Sequence, residues 1–357
     1  MEQETFDIVV TDMRMPVMTG AQLLEEVKRR YPECSRIILS GQADPDTIMR
    51  AVDPTHQYLA KPCNTSELKK RLVRAFAVRG LKNPELQAVV SGLEALPSLP
   101  ALYMEVTSEL ENREPSIARI ARLISEDMAM TAKMLQLVNS AFFGLRSRVS
   151  DPIQAVQMLG LDTLRALLLE THVLEKFRSD ILGQPEITYL WKHSFAVARF
   201  AKGIAAFEKA DRQMIDDCFT AGLLHDSGKL ILSSAMGNKY KTVLDLVRKD
   251  ARTLIDAEAE VLGCNHAEVA AYLLGLWGLP ESVIEGVAQH HDPMGSDQTG
   301  FSTGLATHAA VFFMSSRHLF GCRTVSHSIW NISGTRATAT GKRPGWRLFR
   351  ALPLCPT

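Results

Sequence analysis

The chain predicts a multidomain protein, an α/β unit with a parallel sheet followed by a larger all-α domain. Three observations carry this. Over the first eighty residues, apolar strand-like runs alternate with amphipathic helical stretches. From residue 85 to about 314 the strand patterns are gone and apolar residues recur at helical spacing. The length of 357 residues also suits two domains, on a prior of roughly 150 residues each.

The α/β unit begins with FDIVVT (6–11), β-branched and apolar as a buried parallel strand is, and Asp12 follows at its carboxyl end. A helical stretch, AQLLEEVKRRY, places Leu23, Leu24 and Val27 on one face. A second strand, RIILS (36–40), ends in Ser40, and a weaker one, HQYLA (56–60), runs into Lys61 and Pro62. SELKKRLVRAFAVRG (66–80) reads as an amphipathic helix closed by Gly80. Chemistry in such sheets collects at the carboxyl ends of the strands. Asp12, Ser40 and Lys61 occupy three successive ends. Singly, each is an ordinary polar residue of a loop. Together, a carboxylate, a hydroxyl and an ammonium can accept, hydrogen-bond and neutralise a phosphoryl group.

VVTDMRMPVMTG, IILSG and YLAKP, in that order, resemble the second half of a bacterial response-regulator receiver domain, a flavodoxin-like α/β fold, over residues 1–80. The resemblance implies that Asp12 is the phosphoacceptor, that Ser40 is the hydroxyl that moves onto the phosphoryl group, and that Lys61 is its charge partner. It implies Mg²⁺ held by Asp12 and the backbone carbonyl of Arg14, and a sensor histidine kinase as phosphodonor in a two-component phosphorelay. Receivers also carry an acidic pair at the end of their first strand. Only eleven residues precede Asp12, so the expectation is a receiver without its first two strand–helix units. FDIVV then becomes an apolar edge of a 2-1-3-4-5 sheet, and the Mg²⁺ site lacks two carboxylates.

KNPE (82–85) is a short breaker in a linker, residues 81–95. ALPSLPALYMEVTSEL then leads into a helix. SIARIARLISED (116–127) is predicted helical, with Ile117, Ile120, Ala121 and Ile124 in phase. TAKMLQLVNSAFFG (131–144) follows, closed by Gly144. DPIQAVQMLGLDTLRALLLETHVL (151–174) starts with Asp151 as N-cap and Pro152 in the first helical position. Met128, Met130 and Met134 are spaced as core fillers. His193 lies in LWKHSFAVARFAKGIA, His225 and Asp226 in AGLLHDSGK, His266 in NHAEVAAYLL, and His290 and His291 in AQHHDP. Helix bundles build metal sites from side chains facing one another. These six residues are predicted on four antiparallel helices. His56 and His172 fall outside the pattern.

LPSLP (96–100), ISEDMAM (124–130), MLQLVNSAFFG (134–144) and AVQMLGLDTLRALLL (155–169) resemble the HDOD family, an HD-related output domain, here residues 96–314. The histidine order is similar to that of metal-dependent HD phosphohydrolases, where histidines and an aspartate hold one or two divalent metals that activate water. HDSGK is close to the HDxGK of the phosphodiesterase branch, which implies that Lys229 contacts the scissile phosphate. Two features depart from that pattern. The closing aspartate is missing from GLATHAAVFFM (304–314), which offers only His308, and HHDPMGSDQTGF does not contain the GYP segment. The expectation is an HD-like output domain that works by contact with other signalling proteins or as a homodimer. The alternative is a metal-dependent HD-type phosphohydrolase or phosphodiesterase.

Composition sets the frame. At 46% hydrophobic and 22% charged residues, the chain is neither disordered nor collagen-like. Six scattered cysteines without a CxxC pair indicate neither a disulfide framework nor a cysteine zinc site. No apolar run approaches the ~18–20 residues of a membrane span, and the acidic start MEQETFDIVV is unlike a signal peptide, so a cytoplasmic protein is expected. The net charge of zero conceals a split. Residues 315–357 hold six Arg, one Lys and no acid, which leaves 33 basic against 40 acidic residues elsewhere. Helical periodicity stops near Ser315. The basic tail that follows is expected to be disordered, and it reads as an out-of-frame segment or, alternatively, as a nucleic-acid-binding tail.

Overall fold

A computed structural model describes residues 6–31, 34–40, 57–61, 100–139, 148–165, 182–250, 252–293 and 300–321, together with Leu86, Val90, Leu93 and Leu96. The N-terminal unit contains β1 (Ile8–Asp12), α1 (Gly20–Arg30), β2 (Ser35–Ser40) and β3 (Gln57–Ala60). The three strands pair in parallel in the order β1-β2-β3, with Asp12 opposite Leu39 and Ser40 opposite Ala60. All three carboxyl ends therefore meet at one edge. A capping box of Thr19 and Gln22 opens α1, and Lys28, Arg29 and Arg30 complement its negative end. The helix buries Leu24 against Met13 and Ile38. A Cβ on Gly20 would stand 2.1 Å from the Asp12 carbonyl oxygen, so only glycine lets α1 start this close to β1. Among the described strands β1 is an edge, as expected, with Val10 exposed. The helix expected over 66–80 lies outside the described residues.

The second part is helical: α2 (Pro100–Glu111), α3 (Ile117–Ser125), α4 (Met128–Val138), α5 (Pro152–Arg165), α6 (Gln184–Phe207) and α7 (Arg212–Leu224). It continues with α8 (Ser227–Ala235), α9 (Gly237–Asp250), α10 (Leu254–Leu262), α11 (His266–Leu276), α12 (Glu281–Ala288) and α13 (Thr303–Gly321). Three boundaries differ from the sequence reading. The helix expected over 116–127 stops at Ser125, because Asp127 leaves helical geometry to cap α4 and accepts the Met130 N–H at 2.9 Å. All of α4 is buried, including Met128, Met130 and Met134, and it ends at Val138. Gly160, at φ 75° and ψ 167°, kinks α5. Finally, α13 continues through residues 315–321 to Gly321, since SSRHLFG contains no proline to interrupt the backbone ladder.

One hydrophobic core runs from Leu86 to Val287 and takes in Trp191, Tyr240 and Trp277. A smaller one joins α6, α7 and α13 through Val197, Ala201, Cys218, Ala306 and Ala310. Among the described residues, no helix is long and apolar enough to cross a membrane.

Candidate phosphoacceptor site and metal centre

At the sheet's carboxyl edge, Lys61 reaches past the end of β2 and places Nζ 2.6 Å from Asp12 Oδ1. Both side chains are nearly half exposed, at 45% and 43%. Ser40 ends the strand between them. Arg14 is exposed two residues beyond β1. Among the described residues Asp12 joins no group of three potential metal ligands, and Lys61 occupies Oδ1. These residues alone do not make a Mg²⁺ site, and no step is derived through that ion.

The second site gathers where helices end. His193 lies within α6, His225 caps the C-terminus of α7, Asp226 precedes α8, His266 opens α11, and His290 and His291 follow α12. Five helices contribute, one more than expected, because His225 and Asp226 sit at the break between α7 and α8. A Cβ on Gly228 would lie 1.9 Å from the His266 carbonyl oxygen. The glycine of HDSGK thus lets α8 meet α11 and brings Asp226 to His266.

Each buried imidazole is oriented by a hydrogen bond pointing away from the cluster. His225 Nδ1–H donates to the Gly222 carbonyl at 2.7 Å, and His290 Nδ1–H to the Val287 carbonyl at 2.6 Å. Carbonyls only accept, so Nδ1 is the donor in each ring and Nε2 turns inward. His266 Nδ1–H donates to Glu258 Oε2 at 2.7 Å, and the same oxygen accepts the His266 backbone N–H at 2.9 Å. Tyr240 donates to the other Glu258 oxygen at 3.3 Å. His266 Nε2 and His291 Nε2 are 2.9 Å apart.

These nitrogens converge on Asp226. Its Oδ2 is 3.3 Å from His225 Nε2 and accepts from Lys229 Nζ at 2.7 Å. Its Oδ1 is 3.5 Å from His266 Nε2 and 3.8 Å from His290 Nε2. Burial pushes the Asp226 carboxyl up, but His225, Lys229 and His266 outweigh it and hold the group well below the usual carboxylate range. Burial, then neighbouring imidazoles, hold His290 and His291 well below 6.5. Burial and the Asp226 charge raise the Tyr189 phenol, whose ring stacks on His193.

Buried lone pairs are normally satisfied. Here His225 Nε2, His290 Nε2 and Asp226 Oδ1 are buried without a hydrogen-bond partner. A cation among these atoms would satisfy their lone pairs. Nitrogen ligands about 2.0–2.1 Å from a tetrahedral zinc ion stand about 3.3 Å apart, and His266 Nε2 and His291 Nε2, at 2.9 Å, need to open only by a few tenths of an ångström to reach that spacing. The residues present fit a divalent metal.

Lys229, expected to contact a phosphate, is engaged with Asp226. His308 stands in place of the missing aspartate and donates from Nδ1 to the His290 carbonyl at 2.8 Å, so it supports the His290–His291 segment. A cavity of about 250 Å³, lined among others by His290, His291, Asp292, His308 and Phe312, opens onto this side. The sequence reading missed Glu258. Its signal was there: Leu254, Ala257, Glu258 and Leu262 form the buried face of α10, and a carboxylate on an apolar face needs a partner.

Family models match both parts of the chain. Residues 96–293 match the HDOD domain. The chain belongs to the HDOD family. Ahead of its HDOD domain, residues 1–73 match the response regulator receiver domain. A protein of Treponema pallidum (strain Nichols), described only as uncharacterized, is 31% identical over 57% of this chain and 39% of its own length. The hydrogenase transcriptional regulatory protein HoxA of Cupriavidus necator is 29% identical over 31% of this chain and 23% of its own. The chain thus spans less than half the length of these curated relatives. A crystal structure of a fragment of the MmoQ response regulator from Methylococcus capsulatus is 25% identical, with a TM-score of 0.52, and covers 64% of this chain and 86% of that one.

Proposed function

We propose that this chain is a cytoplasmic two-component response regulator in which phosphorylation of Asp12 controls the HDOD domain, and that the HDOD domain acts by binding other signalling proteins. The observation that carries the reading is the Lys61–Asp12 pair at the exposed strand ends. A phosphodonor such as a sensor histidine kinase has access to Asp12 there. When an Asp12 oxygen attacks the donor's phosphorus, the bond from phosphorus to the donor (P–N of a phosphohistidine, P–O of acetyl phosphate) breaks with its electron pair leaving on the donor, and the transferred phosphoryl group adds negative charge beside Lys61, which is already within ion-pair distance. Ser40 ends the strand between them. A charge change of this kind biases a two-state packing. Incubating the full chain with acetyl phosphate or a partner kinase is expected to add one phosphoryl group by mass and to alter hydrogen exchange in residues 96–293. Label retained in Asp12→Asn would sink the assignment.

The histidine cluster favours a second reading, a metal-dependent phosphohydrolase. A bound divalent ion would polarise a phosphate ester and lower the pKa of a water. Its ligands would come from His193, His225, Asp226, His266, His290 and His291, Glu258 orients His266, and a cavity lies beside His308. Metal content and a phosphodiesterase panel, with His225→Ala as control, separate the readings. Turnover lost in His225→Ala establishes the enzyme; metal without turnover leaves the binding role.

A further inference from the structure

We propose that the cluster takes one divalent cation, on the His266–His290–His291 side, and that the Lys229 ammonium occupies the place of a second. This rests on reading the cluster as a metal centre, and it concerns how that centre is filled.

The potential ligands form two groups of three, His193–His225–Asp226 and His266–His290–His291, each with ligand atoms within 4.8 Å of one another. Asp226 stands between them and turns a different oxygen to each. Oδ1 faces His266 and His290, at 3.5 and 3.8 Å. Oδ2 faces His225 at 3.3 Å. Two ions would need both oxygens, one for each group.

Lys229 breaks that symmetry. Its ammonium is 2.7 Å from Oδ2, with 10% of the side chain exposed. The two residues are three apart at the start of α8, so the contact is short and local. A divalent cation among His193, His225 and Oδ2 would stand beside this ammonium in a low-dielectric interior, where like charges repel strongly. Without Oδ2, that group offers two imidazoles, short of the three protein ligands of an open catalytic site or the four of a closed one.

Each side holds a buried imidazole nitrogen without a hydrogen-bond partner, His225 Nε2 on the first and His290 Nε2 on the second, but the carboxylate oxygen left without one, Oδ1, faces the second. His266 is braced by Glu258, in the position of an outer-shell carboxylate that orients a ligating histidine. The cavity of about 250 Å³ is lined by two of this side's three histidines, His290 and His291, and by none of His193, His225 and Asp226. With one ion, the clamp that two metals place on the attacking and leaving oxygens of an in-line displacement is not formed.

The test is metal stoichiometry on the full chain, loaded with Zn²⁺ or Co²⁺, dialysed, and measured by elemental analysis and calorimetric titration. One ion per chain is expected in the wild type, retained in His193→Ala and lost in His291→Ala. Lys229→Met is expected to bind two, and His193→Ala in that background to return to one. Two ions in the wild type overturn the proposal but keep the metal reading; none overturns both. A single ion lost with His193→Ala and retained with His291→Ala, or no gain in a folded Lys229→Met, also overturns it. If Lys229→Met does not fold, the wild type and the two histidine variants still decide.

Discussion

Lys61 pairs with Asp12 at 2.6 Å and Lys229 with Asp226 at 2.7 Å, yet the first pair is 45% and 43% exposed and the second 10% and 2%. The same two functional groups at the same distance serve opposite ends. In water the Asp12 pair is worth at most ~1 kcal/mol, so a reagent can displace the lysine, modify the carboxylate and leave the lysine to rebind. In the interior the Asp226 pair persists, because neither charge has water to return to. Exposure, not the pairing chemistry, separates a site fit for transient modification from one fit to hold a permanent charge.

The contrast is tested most strongly at Asp226. Asp226→Ala removes the carboxylate from a buried ammonium, and breaking such a pair costs about 3–5 kcal/mol. Urea denaturation is expected to show a loss of that size; a loss below ~1 kcal/mol would mean that the interior pair behaves like the surface one.

Acidification is the next largest effect, in protein stripped of metal by chelator. His290 and His291 are held well below 6.5 by burial and by neighbouring imidazoles, so below that pH the unfolded chain binds more protons than the folded one. Their contribution is fully present above pH ~6.5 and is lost as the pH falls from there towards their folded values. With two such groups the slope approaches about 3 kcal/mol per pH unit. Denaturation midpoints between pH 7.5 and 5 measure it. Loss of the slope in a His290→Gln, His291→Gln variant would confirm its source.

Glu258→Gln keeps the shape but removes the carboxylate that His266 Nδ1–H donates to. Outer-shell changes of this kind weaken metal binding by about 10–100-fold, readable by competition against a chelator. Unchanged affinity would show that the Glu258–His266 contact does not serve the metal. The smallest effect is expected from Asp12→Asn, below ~1 kcal/mol of stability although phosphorylation is abolished. A larger stability loss would mean that the surface pair is structural.

Much of this molecule is legible in one dimension. FDIVVT and RIILS declare strands because β-branched apolar runs suit a buried sheet. That Asp12, Ser40 and Lys61 fall at neighbouring strand ends was legible because the carboxyl ends of parallel strands share one edge. His193, His225, Asp226, His266, His290 and His291 could be singled out by residue type, and packing brings them near one another. Local chemistry also misled. Asp127 looked like the tail of one helix and is the cap of the next, because an N-cap and a C-terminal acid differ only in backbone geometry. The apolar phase of residues 151–174 gave no warning of the kink at Gly160.

Three-dimensional packing supplied the rest. Glu258 joined the site only when α10 was laid against α11, and His308 changed from a missing ligand into a brace for His290 when α13 packed over it. Which imidazole nitrogen faces inward depends on carbonyls at Gly222 and Val287 that have no sequence signature. Periodicity encodes which face of a helix is buried, since burial follows the backbone's own repeat. The direction of a ring's lone pair, or which oxygen of Asp226 a lysine takes, follows no repeat and exists only once the helices have met.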